Sequence, residues 1–266
     1  MLKAITQLVY GSDRPIPEFL QFAKRAGYEG VELVMTMSGD LNLEATRDDY
    51  ARIKGAGRES GIAFTSICAG GGVRPDALVT SPDPAMRRAA RDAFAKCCEA
   101  GEALGIGALL VVPGVVTAEI QYDVAVDRAR EELSKLAPVA ANHGVVLCVE
   151  NVWNKMFMSP TEMRDFVDSI DSPSVQAFLD VGNMLIWGFP EHWVRILGAR
   201  THRVHFKDFR RQGYEFVQLM DGDVDWPAVM AALRDTGYDG PVIQEVGGSE
   251  EELIETRRRM EQILAM

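Results

Sequence analysis

Residues 145–151, VVLCVEN, restrict the fold of this chain more than any other segment. Apolar residues and a cysteine run without a break into a carboxylate and then an amide. So short an apolar run, bounded by His143-Gly144 and by Trp153-Asn154-Lys155, reads as a strand buried on both faces. Its charge arrives only at the carboxyl end. An unpaired buried carboxylate is expensive, so a Glu in that position calls for a partner, and a metal ion is one. The same grammar recurs three times: residues 177–179 end in Asp180, Arg203-Val204 leads into His205, and residues 242–244 lead into Glu245. The intervals from Glu150 are 30, 25 and 40 residues, each about one strand-helix unit of an eight-fold barrel of ~250 residues. Four consecutive strand ends would then aim Glu, Asp, His and Glu at one point.

The rest of the chain keeps the alternation. Strands are expected at 30–35, 62–69, 108–112, 145–151, 175–181, 201–207 and 242–246, after a first apolar segment at 4–10. Helices are expected at 18–26, 46–60, 82–104, 122–142, 160–170, 190–197 and 250–264, with one more opened by Asp225-Trp226-Pro227, an N-cap followed by proline in the first turn. Gly55 and Gly57 weaken their helix by about 1 kcal/mol each, and Pro138 is expected to kink its own. Gly70-Gly71-Gly72 follows the third strand as a loop where backbone can approach a ligand. Strands alternating with helices, with no linker or low-complexity tract, predict an α/β fold: a single (β/α)8 TIM barrel forming one domain over residues 1–266. An open doubly wound sheet would want a glycine-rich phosphate turn after its first strand. Tyr10-Gly11-Ser12-Asp13 does not supply it.

A net charge of −11 argues against nucleic acid as a partner, because such binding rests on a basic surface that releases counterions. The four cysteines form no C-x-x-C pair, which suits reduced thiols, and Cys97-Cys98 reads as helix core. No apolar segment approaches the ~20 residues of a membrane span, and the amino end is too short in apolar residues for a signal peptide. A cytoplasmic protein with no membrane partner is expected.

Strand parity sharpens the site. In the seventh strand Val204 and Phe206 should face the helices and Arg203, His205 and Lys207 the barrel interior; Cys148 with Glu150, and Ile243 with Glu245, share the inward parity. Three carboxylates and an imidazole, with no thiolate, are a hard donor set. It suits one divalent ion, Mn²⁺ or Mg²⁺ first, with Co²⁺ or Zn²⁺ able to substitute. Lys207, Arg210 and Arg211 follow directly on the His205 strand and are expected to hold a phosphate or carboxylate, with a solvated loop pair as the equal alternative for Arg210-Arg211. Glu32, read as the end of the second strand, is expected either to bond a substrate hydroxyl or a metal water or to form a structural salt bridge. Trp153 and Trp187 follow two of the candidate ligand strands and are expected either to form apolar walls at the mouth or to pack on the barrel rim.

The sequence resembles the xylose-isomerase-like barrels, a family of sugar phosphate isomerases and epimerases that includes ketose 3-epimerases and hexulose- and ribulose-phosphate 3-epimerases. The likeness spans nearly the whole chain. It is carried by Val149-Glu150-Asn151, Leu179-Asp180-Val181-Gly182-Asn183, His205-Phe206-Lys207-Asp208, Gly222-Asp223-Val224-Asp225-Trp226 and Gly237-Tyr238-Asp239-Gly240-Pro241 leading to Glu245. The resemblance implies that Glu150, Asp180, His205 and Glu245 bind one divalent ion, and that Glu150 and Glu245 are also the catalytic acid-base pair. It implies epimerisation or isomerisation of a ketose or ketose phosphate by proton abstraction beside a carbonyl, through a metal-stabilised enediolate. Free-ketose 3-epimerases tend to carry His three residues after the Asp and Glu six after the first Glu; Asn183 and Met156 stand there, and Asn183 matches the phosphate-sugar branch as a substrate-binding residue. A small-molecule carbohydrate is the implied partner, and barrels of this group often pair, so a homodimer or homotetramer is expected. The alternative chemistry is a dehydratase or lyase acting on a keto-sugar or keto-inositol. A phosphodiesterase resembling the endonuclease IV branch would need more histidines than the four present.

Overall fold

The computed structural model describes residues 1–69 and 78–266, so the expected Gly70-Gly71-Gly72 loop lies outside the described residues. Short apolar strands and capped amphipathic helices alternate: β1 (Lys3–Thr6), α1 (Gln7–Tyr10), α2 (Ile16–Ala26), β2 (Gly30–Val34), α3 (Arg47–Ser60), β3 (Ala63–Cys68), α4 (Pro84–Leu104), β4 (Ala108–Val111), α5 (Tyr122–Asn142), β5 (Val146–Glu150), α6 (Pro160–Ile170), β6 (Val175–Asp180), α7 (Pro190–Leu197), β7 (Thr201–Phe206), β8 (Asp208–Arg210), β9 (Glu215–Val217), α8 (Trp226–Asp235), β10 (Val242–Gln244) and α9 (Glu250–Leu264). Eight parallel strands close a barrel in the order β1-β10-β7-β6-β5-β4-β3-β2. The expected (β/α)8 architecture is therefore what the chain adopts.

Local chemistry sets the boundaries. Thr46 and Ser249 open α3 and α9 with reciprocal capping boxes to Asp49 and Glu252. The glycines after α2, α3 and α4 take the left-handed conformation that ends a helix without a Cβ clash. Helix α5 continues through Pro138 to Asn142. The apolar segment at 4–10 divides: Thr6 ends β1 and caps a single helical turn, whose Gln7 is buried and accepts from Val34 N at 3.1 Å.

Parity holds as expected in β7, where Val204 and Phe206 lie in the large core between sheet and helices while His205 is fully buried in the barrel. The interior is filled by Ala4, Val34, Cys68, Leu110, Phe178 and Ile243, among others. That plug forces charge to the carboxyl-terminal mouth, the face where such barrels place their chemistry.

One element was not anticipated. After β7 the chain makes an antiparallel hairpin, β8 with β9, over the mouth. Asp208 anchors it: its buried carboxylate accepts from the backbone N–H of Phe209 (2.8 Å), Met220 (2.9 Å) and Val224 (3.2 Å) and from Trp226 Nε1 (3.1 Å). Gly222 packs directly on this carboxylate, and a Cβ there would overlap Asp208 Oδ1 and stand 2.8 Å from Phe209 O. With Asp208 fixed by four donors, Gly222→Ala is expected to destabilise the protein by about 1–3 kcal/mol, measurable as a lower urea midpoint; an unchanged midpoint would show that the hairpin tolerates the shift.

Candidate metal centre

Strands β5, β6 and β7 and the residue following β10 bring four side chains together at the mouth. One oxygen each from Glu150, Asp180 and Glu245 and one ring nitrogen of His205 lie within 4.8 Å of one another. Donors around a single divalent ion sit about 2.0–2.6 Å from it, so opposed donors stand about 4–5 Å apart. The cluster has that span.

Asp180 is braced from the backbone. Asn151 clamps the Asp180 peptide, its Oδ1 accepting from Asp180 N and its Nδ2 donating to Asp180 O, both at 2.9 Å. Asp180 Oδ1 accepts from the N–H groups of Gly182 (2.8 Å) and Asn183 (2.7 Å). Asp180 Oδ2 is buried with no hydrogen-bond partner. A buried carboxylate oxygen that makes no hydrogen bond and faces only the Lys207 ammonium, at 3.5 Å, leaves room for a further cationic partner.

The charges of the site press on one another. Burial pushes the Asp180 carboxyl up to about 8; Lys207 opposes this, while Glu245 and Glu150 add to it. Burial likewise raises Glu150, against the pull of His205. Burial would also raise Glu245, but His205 and Lys207 outweigh it and hold that carboxyl well below the usual range. For His205 burial acts downward, yet Glu245 and Glu32 carry the imidazole well above its ordinary 6.5.

These directions fix a sign. Asp180 binds its proton more tightly folded than unfolded, so the stability it contributes is present near pH 4 and fades as pH rises toward about 8. His205 adds stability that is full below 6.5 and lost as pH climbs through its higher folded value. Glu245, depressed, has made its contribution already above 4.5. The metal-free protein is thus expected to melt lower at about pH 8.5 than at about pH 6.5. Because the ligands must lose protons to bind an ion, the rise in Tm on adding Mn²⁺ should grow over the same interval. Thermal melts with chelator and with Mn²⁺ at the two pH values test both statements, and a Mn²⁺ increment that shrinks with pH would contradict the second.

A cavity of about 430 Å³ opens beside the cluster, lined by Glu150 and Glu245 together with Leu8, Val34, Thr36, Met37 and Leu110, among others. Its volume suits a small ligand. Asp180 and His205 have no exposed surface, whereas the two Glu border the cavity.

The other expected site residues fall in different places. The Lys207 ammonium is 2.9 Å from Glu245 Oε2 and 3.5 Å from Asp180 Oδ2, over the Phe216 ring. Arg211 turns outward, donating to the carbonyls of Leu185 (2.8 Å) and Gly188 (2.9 Å) and lying over Phe189. Arg210 pairs with Glu215. Asn183 is buried, and its Nδ2 donates to Asn151 O at 2.9 Å. Trp153 donates from Nε1 to Asn183 O at 2.7 Å and stacks on Phe216, with Phe209 edge-on, in an aromatic wall shared with the hairpin. Of the two roles expected for Glu32, the structure shows the internal ion pair and not the rim group. Strand β2 runs on to Val34, so Glu32 lies one interior layer down, fully buried, with Ser66 Oγ donating to Oε2 at 2.7 Å and His205 Nε2 at 3.1 Å from Oε1. A substrate hydroxyl has no access to it.

Comparison with known proteins agrees with this architecture. Residues 20–263 match the model of the family described as xylose isomerase-like TIM barrel. The chain belongs to that family. Among curated proteins, it is 24% identical over 232 residues to L-ribulose-5-phosphate 3-epimerase UlaE of Salmonella paratyphi C (strain RKS4594), covering 86% of this chain and 81% of that protein. Among solved structures, D-psicose 3-epimerase from Clostridium cellulolyticum H10 with D-tagatose superposes with a TM-score of 0.82 at 18% identity, over 99% of each chain. The IOLI protein with a bound zinc atom gives a TM-score of 0.82 at 17% identity, over 100% of this chain and 98% of that one. In this xylose isomerase-like barrel no described helix is long and apolar enough to cross a membrane.

Proposed function

We propose that this protein is a divalent-metal-dependent epimerase or isomerase acting on a ketose or ketose phosphate. One observation carries the reading: of four clustered candidate ligands, the two that border the cavity are both glutamates, Glu150 and Glu245, while Asp180 and His205 are sealed beneath them. Carboxylates that serve only as ligands gain nothing from facing a substrate. A pair that exchanges protons with substrate must face it. The curated relative named as a ribulose-phosphate 3-epimerase and the structural neighbour named as a psicose 3-epimerase support the same class.

Glu150, Asp180, His205 and Glu245 are the residues that would hold the ion. Mn²⁺ or Mg²⁺ is favoured by three carboxylates, with Co²⁺ or Zn²⁺ as substitutes, and the zinc in the IOLI structure is consistent with that tolerance. The ion would supply Lewis-acid stabilisation of negative charge developing on substrate oxygens. The chain's own part is the proton. One glutamate removes it from the carbon beside the carbonyl and the other returns one; return to the opposite face of that carbon inverts it, and return to the neighbouring carbon isomerises the sugar. Lys207, whose ammonium donates to Glu245 at 2.9 Å, would hold that carboxylate ionised. Trp153 and the hairpin aromatics wall the mouth and limit water.

The test is incubation with Mn²⁺ and a panel of ketoses and ketose phosphates in deuterated water. Deuterium is expected at the epimerised carbon of at least one of them. An ultraviolet-absorbing unsaturated product would instead indicate elimination, and no exchange with any member would overturn the reading.

A further inference from the structure

The mechanism above uses the upper side of His205 and leaves its lower side unexplained. There the imidazole meets a second carboxylate, Glu32, whose Oε1 is 3.1 Å from Nε2. Glu32 has no exposed surface and is itself held by Ser66 on the adjacent strand, Oγ donating to Oε2 at 2.7 Å. On the upper side Nδ1 is 2.9 Å from Glu150 Oε1 and 3.3 Å from Glu245 Oε2. Phe178 packs against the ring at a centroid distance of 4.3 Å and limits its tilt.

A neutral imidazole has one N–H and one lone pair, and the partners of each nitrogen decide which is which. The Glu150 and Glu245 oxygens, acceptors both, would draw the ring proton to Nδ1. In that tautomer no lone pair faces the cluster, and His205 is not a ligand. A buried carboxylate on Nε2 is the counterweight. We infer that Glu32 is a positioning residue: it fixes His205 with its proton on Nε2, so that the Nδ1 lone pair faces Glu150, Asp180 and Glu245, and Ser66 in turn fixes Glu32. The inference rests on the proposal that this cluster binds a divalent ion. It explains a charge buried inside the barrel that no substrate can reach, and it follows the general pattern in which a ligating histidine donates its other N–H to a carboxylate.

Two measurements without turnover test it. Calorimetric titration with Mn²⁺ should show Glu32→Leu binding about 10–100-fold more weakly than wild type, with Glu32→Gln between them and Ser66→Ala slightly weakened. Nitrogen-15 spectra of labelled histidine in the Zn²⁺ form should show the His205 proton on Nε2 in wild type, and loss of that hydrogen-bonded signal in Glu32→Leu. Should the leucine variant not fold, Glu32→Met, which roughly keeps the volume and removes the carboxylate acceptor, decides the matter by the same two readouts. Wild-type affinity and an unchanged tautomer in the folded leucine or methionine variant, with wild type binding metal, would overturn the role of Glu32 alone. Wild type that binds no divalent ion would overturn both this inference and the metal centre beneath it.

Discussion

Glu150→Gln and Glu245→Gln are each expected to lower epimerisation by about 10²- to 10⁴-fold, the usual contribution of a positioned acid or base. An amide of the same volume neither accepts nor releases a proton in this range, so the substitution removes chemistry while leaving the packing of a nearly buried site in place. The two variants should also differ from each other. If one glutamate serves each face of the reacting carbon, disabling one leaves the other able to exchange protons on its own face without inverting the centre. Each variant should then incorporate deuterium into only one epimer of the substrate pair, with retention, and the favoured epimer should switch between variants. Because both residues are also candidate ligands, metal content must be measured alongside; a variant that holds its ion and has lost inversion is the informative one. Epimerisation within tenfold of wild type in both would remove the glutamates from the chemistry.

The barrel and the four-residue cluster were legible because they depend on short-range rules. Strand-end charge after an apolar run, repeated at the spacing of one strand-helix unit, leaves few folds in which the charges do not converge, and the period-two alternation assigned His205 inward and Val204 and Phe206 outward. What failed depended on contacts between distant segments. Glu32 could be read either as a rim group or as one half of a structural ion pair, and the partner that decides between them is 173 positions away. The hairpin over the mouth was invisible because β8 and β9 are three residues each, too short for an alternation signal, and are held by Asp208 rather than by their own pattern. That hairpin also decides where Lys207 and Arg211 point, which is why adjacency to His205 in the chain put the two on equal footing and the fold did not.

Asp180→Asn is expected to separate the metal from the fold. Its Oδ1 is occupied by two backbone N–H groups that an asparagine oxygen can also satisfy, while Oδ2, which makes no hydrogen bond and has only Lys207 nearby at 3.5 Å, is the one the ion would use. In wild type at 100 times its Kd, a bound ion adds about 2.7 kcal/mol to stability; a variant weakened about 100-fold gains only about 0.4 kcal/mol at the same concentration. The metal-dependent rise in Tm should therefore nearly vanish. Without metal the order reverses. Above about pH 8 the wild-type carboxyl must carry a buried charge beside Glu150 and Glu245, with Lys207 as its counter-ion, and the neutral amide avoids that repulsion. In chelator at pH 9 the variant should melt no lower than wild type, so that one substitution relieves a strain in the empty protein and removes the function for which that strain is kept. A full metal-dependent shift retained in Asp180→Asn would mean that the ion, if bound, is held without Asp180, and the four-ligand centre would have to be redrawn.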